Sequence, residues 1–175
     1  MRWQPERTLS PLERALGRLA ALFILLIVLV LGPVEMIRLN AAWSWPLWPI
    51  PAGRFIGGGL MLGAVAVWLY CSRLFARVGK GTPFVTEPPR HLVTAGLYRY
   101  SRNPIYVAHV AFLLGWFRRS GAVALLLYTA AIAALIHVTI VRLEEPGLRG
   151  RCGEDYVRYT RRVPRWLLIR PRGGV

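Results

Sequence analysis

Acidic residues are the scarcest charged class in this chain: 8 stand against 23 Lys and Arg across 175 residues, a net charge of +15. A soluble nucleic-acid binder can carry such an excess. It does not also place 55% hydrophobic residues in long apolar runs flanked by arginine, which is the pattern of an integral membrane protein. Membrane topology thus accounts for the charge, and no nucleic-acid partner is expected. Cysteine is nearly absent. Cys71 and Cys152 lie far apart and fall on the side assigned below to the cytoplasm, where thiols stay reduced, so no disulfide is expected. His91, His109 and His137 are scattered singly without metal-ligand spacing, which leaves no metal site.

What the chain does have is apolar runs. Ser10-Pro11 followed by Glu13 reads as a helix start. Ala15 to Val34 then gives about 20 mostly apolar residues, roughly 30 Å as a helix and enough to cross a bilayer core. No small-residue cleavage site follows it, so the run reads as an uncleaved anchor. Glu35 to Arg54 is rich in Trp and Pro (Trp43, Trp45, Trp48, Pro46, Pro49, Pro51). It reads as an interfacial loop, because proline interrupts helices and tryptophan favours the headgroup region.

A second run spans Phe55 to Tyr70 and opens on Gly57-Gly58-Gly59, with Gly63 following. Small residues let helices approach closely in lipid; a nucleotide cradle is excluded because no strand precedes them. A long basic loop, 73–103, leads to a short third run, Pro104 to Phe117, about 21 Å if helical. Arg118-Arg119-Ser120-Gly121 reads as a tight turn, and Ala122 to Val141 as a fourth run.

Basic residues divide unevenly between the two sides. The N-terminal segment holds four, the 73–103 loop six and the tail after Val141 nine, whereas the opposite connections hold only Arg38, Arg54, Arg118 and Arg119. The positive-inside rule puts both termini and the long loop in the cytoplasm. The expectation is an all-α, multi-pass protein of the cell (cytoplasmic or inner) membrane. It has about four transmembrane helices, a hairpin of the third and fourth spans, and a cytosolic C-terminal helical segment. It reads as one membrane domain over 1–175, with anchor spans in 1–78.

Gly96 to Tyr106 packs two arginines, three tyrosines, a glycine and a helix-starting proline into eleven residues. Pro104 at the first position of a helix turns that helix's free N–H groups toward Arg99, Arg102 and Asn103, which together make an anion pocket. Glu144-Glu145 lies at the inner end of the fourth run. Carboxylates at a helix C-terminus oppose the macrodipole and ask for a cation, met either by Arg142 or a loop arginine or by a cationic ligand. An anion pocket and a dicarboxylate at one membrane depth suit a zwitterion such as S-adenosylmethionine.

These residues carry a resemblance. Gly81-Thr82-Pro83, His91 through Tyr98, and Arg102-Asn103-Pro104-Ile105-Tyr106 come first in order. Glu144-Glu145-Pro146-Gly147-Leu148, Cys152 through Tyr156, Tyr159 and Val163-Pro164-Arg165-Trp166 follow. The set, over 79–170, resembles the isoprenylcysteine carboxyl methyltransferase and phospholipid methyltransferase superfamily. The resemblance implies a membrane-embedded methyltransferase using S-adenosylmethionine. It implies cofactor-binding roles for His91, Leu92, Val93, Tyr98, Arg102, Asn103, Pro104, Ile105, Tyr106, Glu144 and Glu145. Where that family reads Arg-His-Pro, this chain reads Arg-Asn-Pro, and Asn103 hydrogen-bonds but does not titrate. The position of the prenylcysteine enzymes' substrate arginine holds Ile140, with Arg142 the nearest arginine.

Methyl transfer from a sulfonium is an in-line displacement favoured by alignment and a dry pocket. Arg142, Glu145, Tyr106 and His109 are the candidate catalytic residues, His109 lying three residues after Tyr106 on roughly one helix face. His137 is intramembrane, where an ionisable group marks function by default. The expected partners are a lipophilic small-molecule acceptor and membrane lipids. An isoprenoid carboxylate or thiol and a phospholipid amine both fit as acceptor, and oligomeric state is left open. Two other readings compete: an NADPH-dependent membrane lipid reductase and a non-catalytic membrane scaffold.

Overall fold

The structure, a computed structural model, describes residues 10–48, 51–79 and 91–166. Helices make up nearly all of its regular structure. Helix α1 (Pro11–Leu26) passes through a π turn at Ile27–Leu31 into α2 (Gly32–Ala42), and α3 (Gly53–Leu74) ends in a second π turn, Phe75–Gly79. A 3₁₀ turn at Gly96–Arg99 precedes α4 (Pro104–Ser120) and α5 (Ala124–Thr139), and a third π turn, Ile140–Glu144, leads into α6 (Glu145–Arg162). Among the described residues there is no strand, only an isolated bridge between Leu47 and Ala122. The all-α, multi-pass expectation holds. Among the described residues, three helical stretches contain a segment long and apolar enough to cross a membrane: Pro11–Ala42, Gly53–Gly79 and Ala124–Arg162. Helix α4, with 17 residues, is about 25 Å long, short of the roughly 30 Å hydrocarbon core.

Helix α1 starts where the sequence marks it. Ser10 Oγ accepts the Glu13 N–H at 3.2 Å and a Glu13 carboxylate oxygen accepts the Ser10 N–H at 2.7 Å, a reciprocal cap for otherwise unpaired donors. Its far end departs from expectation. The helix continues to Ala42, so Glu35 to Ala42 is helical and the irregular connection begins only with the Trp/Pro segment. Pro33 lies inside this continuous helix and has no N–H to give, so a carbonyl one turn back is left without its backbone donor. The third run also extends further than its apolar residues, to Ser120. The reversal falls on Gly121, at φ +72, with Ser120 Oγ accepting the Ala122 N–H at 3.3 Å.

The chain forms two compact units. One is drawn from residues 23–69 and 105–137. Its helices are joined by neutral hydrogen bonds. The π turn at Ile27–Leu31 and the missing N–H of Pro33 together leave carbonyls outside the i→i−4 ladder; the Val28 carbonyl accepts Tyr128 Oη–H at 2.8 Å and the Leu29 carbonyl accepts Trp116 Nε1–H at 2.9 Å. A Cβ on Gly32 would lie 2.3 Å from Tyr128 Oη, so this approach needs glycine. Buried Asn40 donates Nδ2–H to the Trp45 carbonyl at 3.0 Å and accepts the Ala124 N–H at 3.0 Å, satisfying the first donor of α5. Helices α3 and α4 meet at Gly57 and Gly115. A Cβ on Gly57 would come within 2.5 Å of the Gly115 carbonyl, and one on Gly115 within 2.6 Å of Met61 Cγ. Gly58, Gly59 and Gly63 have nothing within 4 Å, so the expected close approach rests on Gly57. Phe55, Leu62, Leu127 and Leu135 are exposed, as lipid-facing side chains are.

The second unit draws on residues within 1–22, 70–104 and 138–175. Its core is one face of α6 and the chain beyond it. Tyr156, Tyr159 and Val163 are buried together, with Leu92, Leu148 and Cys152 packed against them. Leu148 and Cys152 share one face of the helix before Gly153, and Tyr156 and Tyr159 one face of the helix after it. Helix α6 bends at Gly153, whose φ of 53° and ψ of −131° lie outside the helical region.

Candidate active site

Within this second unit, Gly96 decides where the polar loop runs. Its φ is +58 and a Cβ there would lie 2.4 Å from Tyr70 Oη and 2.8 Å from Leu74 Cδ1, so only glycine admits both the conformation and the approach. The turn then delivers Tyr98 into the interior. Its ring meets Phe75 edge-on at 5.5 Å, and its carbonyl accepts the Tyr159 hydroxyl at 2.7 Å. Burial raises the Tyr159 phenol above its ordinary range, so it stays protonated and keeps donating.

Beyond Tyr98 the chain meets the segment that follows α6. Buried Ser101 donates its hydroxyl to the Arg165 carbonyl at 3.2 Å and accepts the Asn103 N–H at 3.2 Å. Asn103 Nδ2 donates to the same Arg165 carbonyl at 3.2 Å, and the Arg102 N–H donates to the Pro164 carbonyl at 2.9 Å. The side chains close on Glu145. Arg102 Nη1 donates to Oε1 at 2.9 Å, while Arg165 grips both oxygens, Nε to Oε1 at 2.7 Å and Nη2 to Oε2 at 2.9 Å.

These side chains are mostly covered, with 12% of Arg102, 16% of Glu145 and 30% of Arg165 exposed, so the pairing is less screened than a surface salt bridge. The hydrogen bonds from Arg165 hold the Glu145 carboxyl below its usual range, aided by the charges of Arg102, Arg165 and Arg149 and opposed by burial. Burial and the nearby Glu145 charge raise Tyr156. One donor is left over: Arg102 Nε is buried and finds no acceptor among the described residues.

Other expected site residues fall as follows. Leu92 packs on the tyrosine cluster and Val93 is buried. His91 is exposed, its N–H donating to the Gly79 carbonyl at 3.3 Å. Pro104 begins α4 as expected and is buried, as is Ile105. Glu144 is half-buried in the π turn and Arg142 beside it is exposed. The helix does not end at Val141 but runs on into α6, so the carboxylates do not sit at a helix C-terminus and the macrodipole objection lapses. Glu145's cations are the loop residue Arg102 and, unforeseen, Arg165. Ile140 is buried. Tyr106 and His109 belong to the other unit, their rings 5.9 Å apart in edge contact. His109 Nε2 is buried without a partner among the described residues. Gly81-Thr82-Pro83 lies outside the described residues.

Compared with known families, residues 54–154 match the phospholipid methyltransferase family model. The chain belongs to this family. The matched region of this methyltransferase-family chain runs from α3 past Glu144 and Glu145 into α6, so it contains Arg102 and Glu145 and stops short of Arg165. No curated protein and no solved structure matches the chain. Arg165 is the residue that reading for chemistry missed. Its signal was present in Val163-Pro164-Arg165-Trp166, which shows an arginine held near a proline but not that it reaches back to Glu145.

Proposed function

We propose that this membrane methyltransferase uses S-adenosylmethionine as methyl donor, acts on a lipophilic acceptor at the cytoplasmic face of the cell membrane, and crosses that membrane four times. The observation that carries the reading is the Arg102–Glu145 pair with its spare Arg102 Nε, inside a family of methyltransferases. A buried donor without an acceptor is costly, and a ligand carboxylate supplies what it lacks. The aminocarboxylate end of S-adenosylmethionine fits that demand.

When bound, the cofactor supplies an activated methyl on its sulfonium. The chain's own residues hold and align it. Arg102 takes the carboxylate, and His91, Leu92, Val93, Tyr98, Asn103, Pro104, Ile105, Tyr106 and Glu144 complete the binding set over 79–170. Glu145 serves by orienting Arg102; a carboxylate held below its usual range is a weak proton acceptor at neutral pH. Proton handling falls to Tyr106 and His109. The unpartnered His109 Nε2 is the group to accept a proton where the acceptor is a phospholipid amine or a thiol, whereas an isoprenoid carboxylate needs no base. Arg142, exposed beside the π turn, attracts anionic headgroups.

Calorimetric titration of the purified protein in detergent with S-adenosylmethionine tests the reading: saturable heat supports it and none refutes it. Labelled-methyl transfer to phospholipid amines, isoprenoid acids and thiols then identifies the acceptor class.

A further inference from the structure

Arg165 lies beyond the residues that match the family, yet it engages both Glu145 oxygens. Its backbone is used as fully as its side chain. The Arg165 carbonyl takes donors from Ser101 and Asn103, and the Pro164 carbonyl takes the Arg102 N–H. Buried Val163, in extended backbone at φ −117 and ψ 126, fixes the start of this strap against Tyr156 and Tyr159. The strap therefore sets the loop that carries Arg102 by its main chain and the carboxylate that faces Arg102 by its guanidinium.

The geometry of the pair gives this a consequence. Arg102 uses Nη1 alone on Glu145, and its Nε is unpartnered. A guanidinium prefers to meet a carboxylate with two parallel N–H groups. Arg165 already occupies Oε2, which keeps Arg102 on one oxygen. With Arg165 gone, Oε2 opens and the Arg102 guanidinium is free to turn its Nε and Nη2 edge onto Glu145, the same side-on fork that Arg165 now makes, which consumes Nε.

We propose that Arg165 is a positioning residue: by occupying Glu145 it holds Arg102 in the one-armed arrangement that presents Nε to a ligand carboxylate. This rests on the S-adenosylmethionine reading above. The charged and titratable groups facing Glu145 are Arg165 from the strap, Arg102 from the loop, and Arg149 and Tyr156 from α6.

The test uses the full chain in detergent, titrated calorimetrically with S-adenosylmethionine. Arg165→Ala weakens binding by about tenfold and Arg165→Lys, a point charge without the fork, by about threefold. Arg165→Ala on a Glu145→Gln background adds no further loss. Arg158, exposed in a pair with Asp155, is the control: Arg158→Ala leaves affinity unchanged. A second readout needs no ligand. Glu145's depressed value means stability is present above the ordinary carboxylate range and lost as pH falls through the folded value; Arg165→Ala flattens that acid slope in thermal melts. If wild-type protein binds no S-adenosylmethionine, the functional reading itself fails. If wild type binds but Arg165→Ala binds within about twofold of it, or keeps the acid slope, the positioning role alone is overturned. Should Arg165→Ala not fold, Arg165→Lys decides by the same affinity comparison, wild-type affinity overturning the role.

Discussion

The two units hold their helices together with different chemistry. In the unit built from residues 23–69 and 105–137, the ties are neutral: Tyr128 and Trp116 donate to carbonyls freed by a π turn and Pro33, Asn40 serves a backbone donor, and Gly57 lets backbones touch. In the unit containing Arg102, Glu145 and Arg165, neutral ties such as Tyr159 to the Tyr98 carbonyl are joined by ionic ones, two guanidinium groups sharing one carboxylate. Neutral donors on carbonyls cost little to bury in lipid, whereas a charge there is expensive. On the proposed function, the ionic cluster is the part that meets a charged ligand, while the neutral ties hold helices together.

That contrast can be broken at either end. The largest effect belongs to Glu145→Ala, which leaves two guanidinium groups facing each other. A loss of about 3 kcal/mol in thermal or denaturant unfolding is expected, together with loss of S-adenosylmethionine binding. Gly57→Leu comes next: with the Gly115 carbonyl 2.5 Å from a Cβ, overpacking costs about 2 kcal/mol, read in detergent melts, while the Arg102 cluster and ligand affinity in the folded fraction stay as they are. Tyr128→Phe removes one interhelical hydrogen bond, about 0.6 kcal/mol by the same melts. Acidification sharpens the comparison without mutation. Stability tied to Glu145 is lost as pH falls below its ordinary range, and Glu145→Gln melts show a flatter acid slope than wild type. The smallest change is Gly58→Ala, with nothing within 4 Å; it moves the melting midpoint by less than about 0.5 kcal/mol equivalent, and a larger loss would mean that this face is covered.

Much of the architecture was legible because lipid constrains sequence strongly: apolar length, arginine flanks and the Ser10–Glu13 cap all translate directly into helices. The misread boundaries have a shared cause. Arg38, Arg118 and Arg119 look like loop residues by polarity, but a helix can carry polar residues past its apolar run, and the breaks come at Ser44 and Gly121, where φ turns positive. Glu145 was legible as an unusual carboxylate, and Arg102 as one wall of its surroundings. Arg165 was not, because twenty residues and a bend at Gly153 separate it from Glu145, and pairing across such a bend has no periodic signature. Nor could sequence tell Gly57 from its neighbours, since which glycine faces a helix depends on rotation about the axis.

The π turn at Ile140–Glu144 carries one more consequence, in terms of register. A π turn holds one residue more than an α turn in the same rise, so it acts as an insertion that the helix never expelled. Each residue turns a helix by about 100°, and the side chains after Glu144 point where they do because of that extra step. Deleting a single residue between Ile140 and Leu143 would let the helix regularise with scarcely any change in length or hydrophobicity. Glu145 would then keep its direction toward Arg102 and Arg165, whereas straightening the turn with no residue removed would swing it away by about 100° and break the ionic cluster.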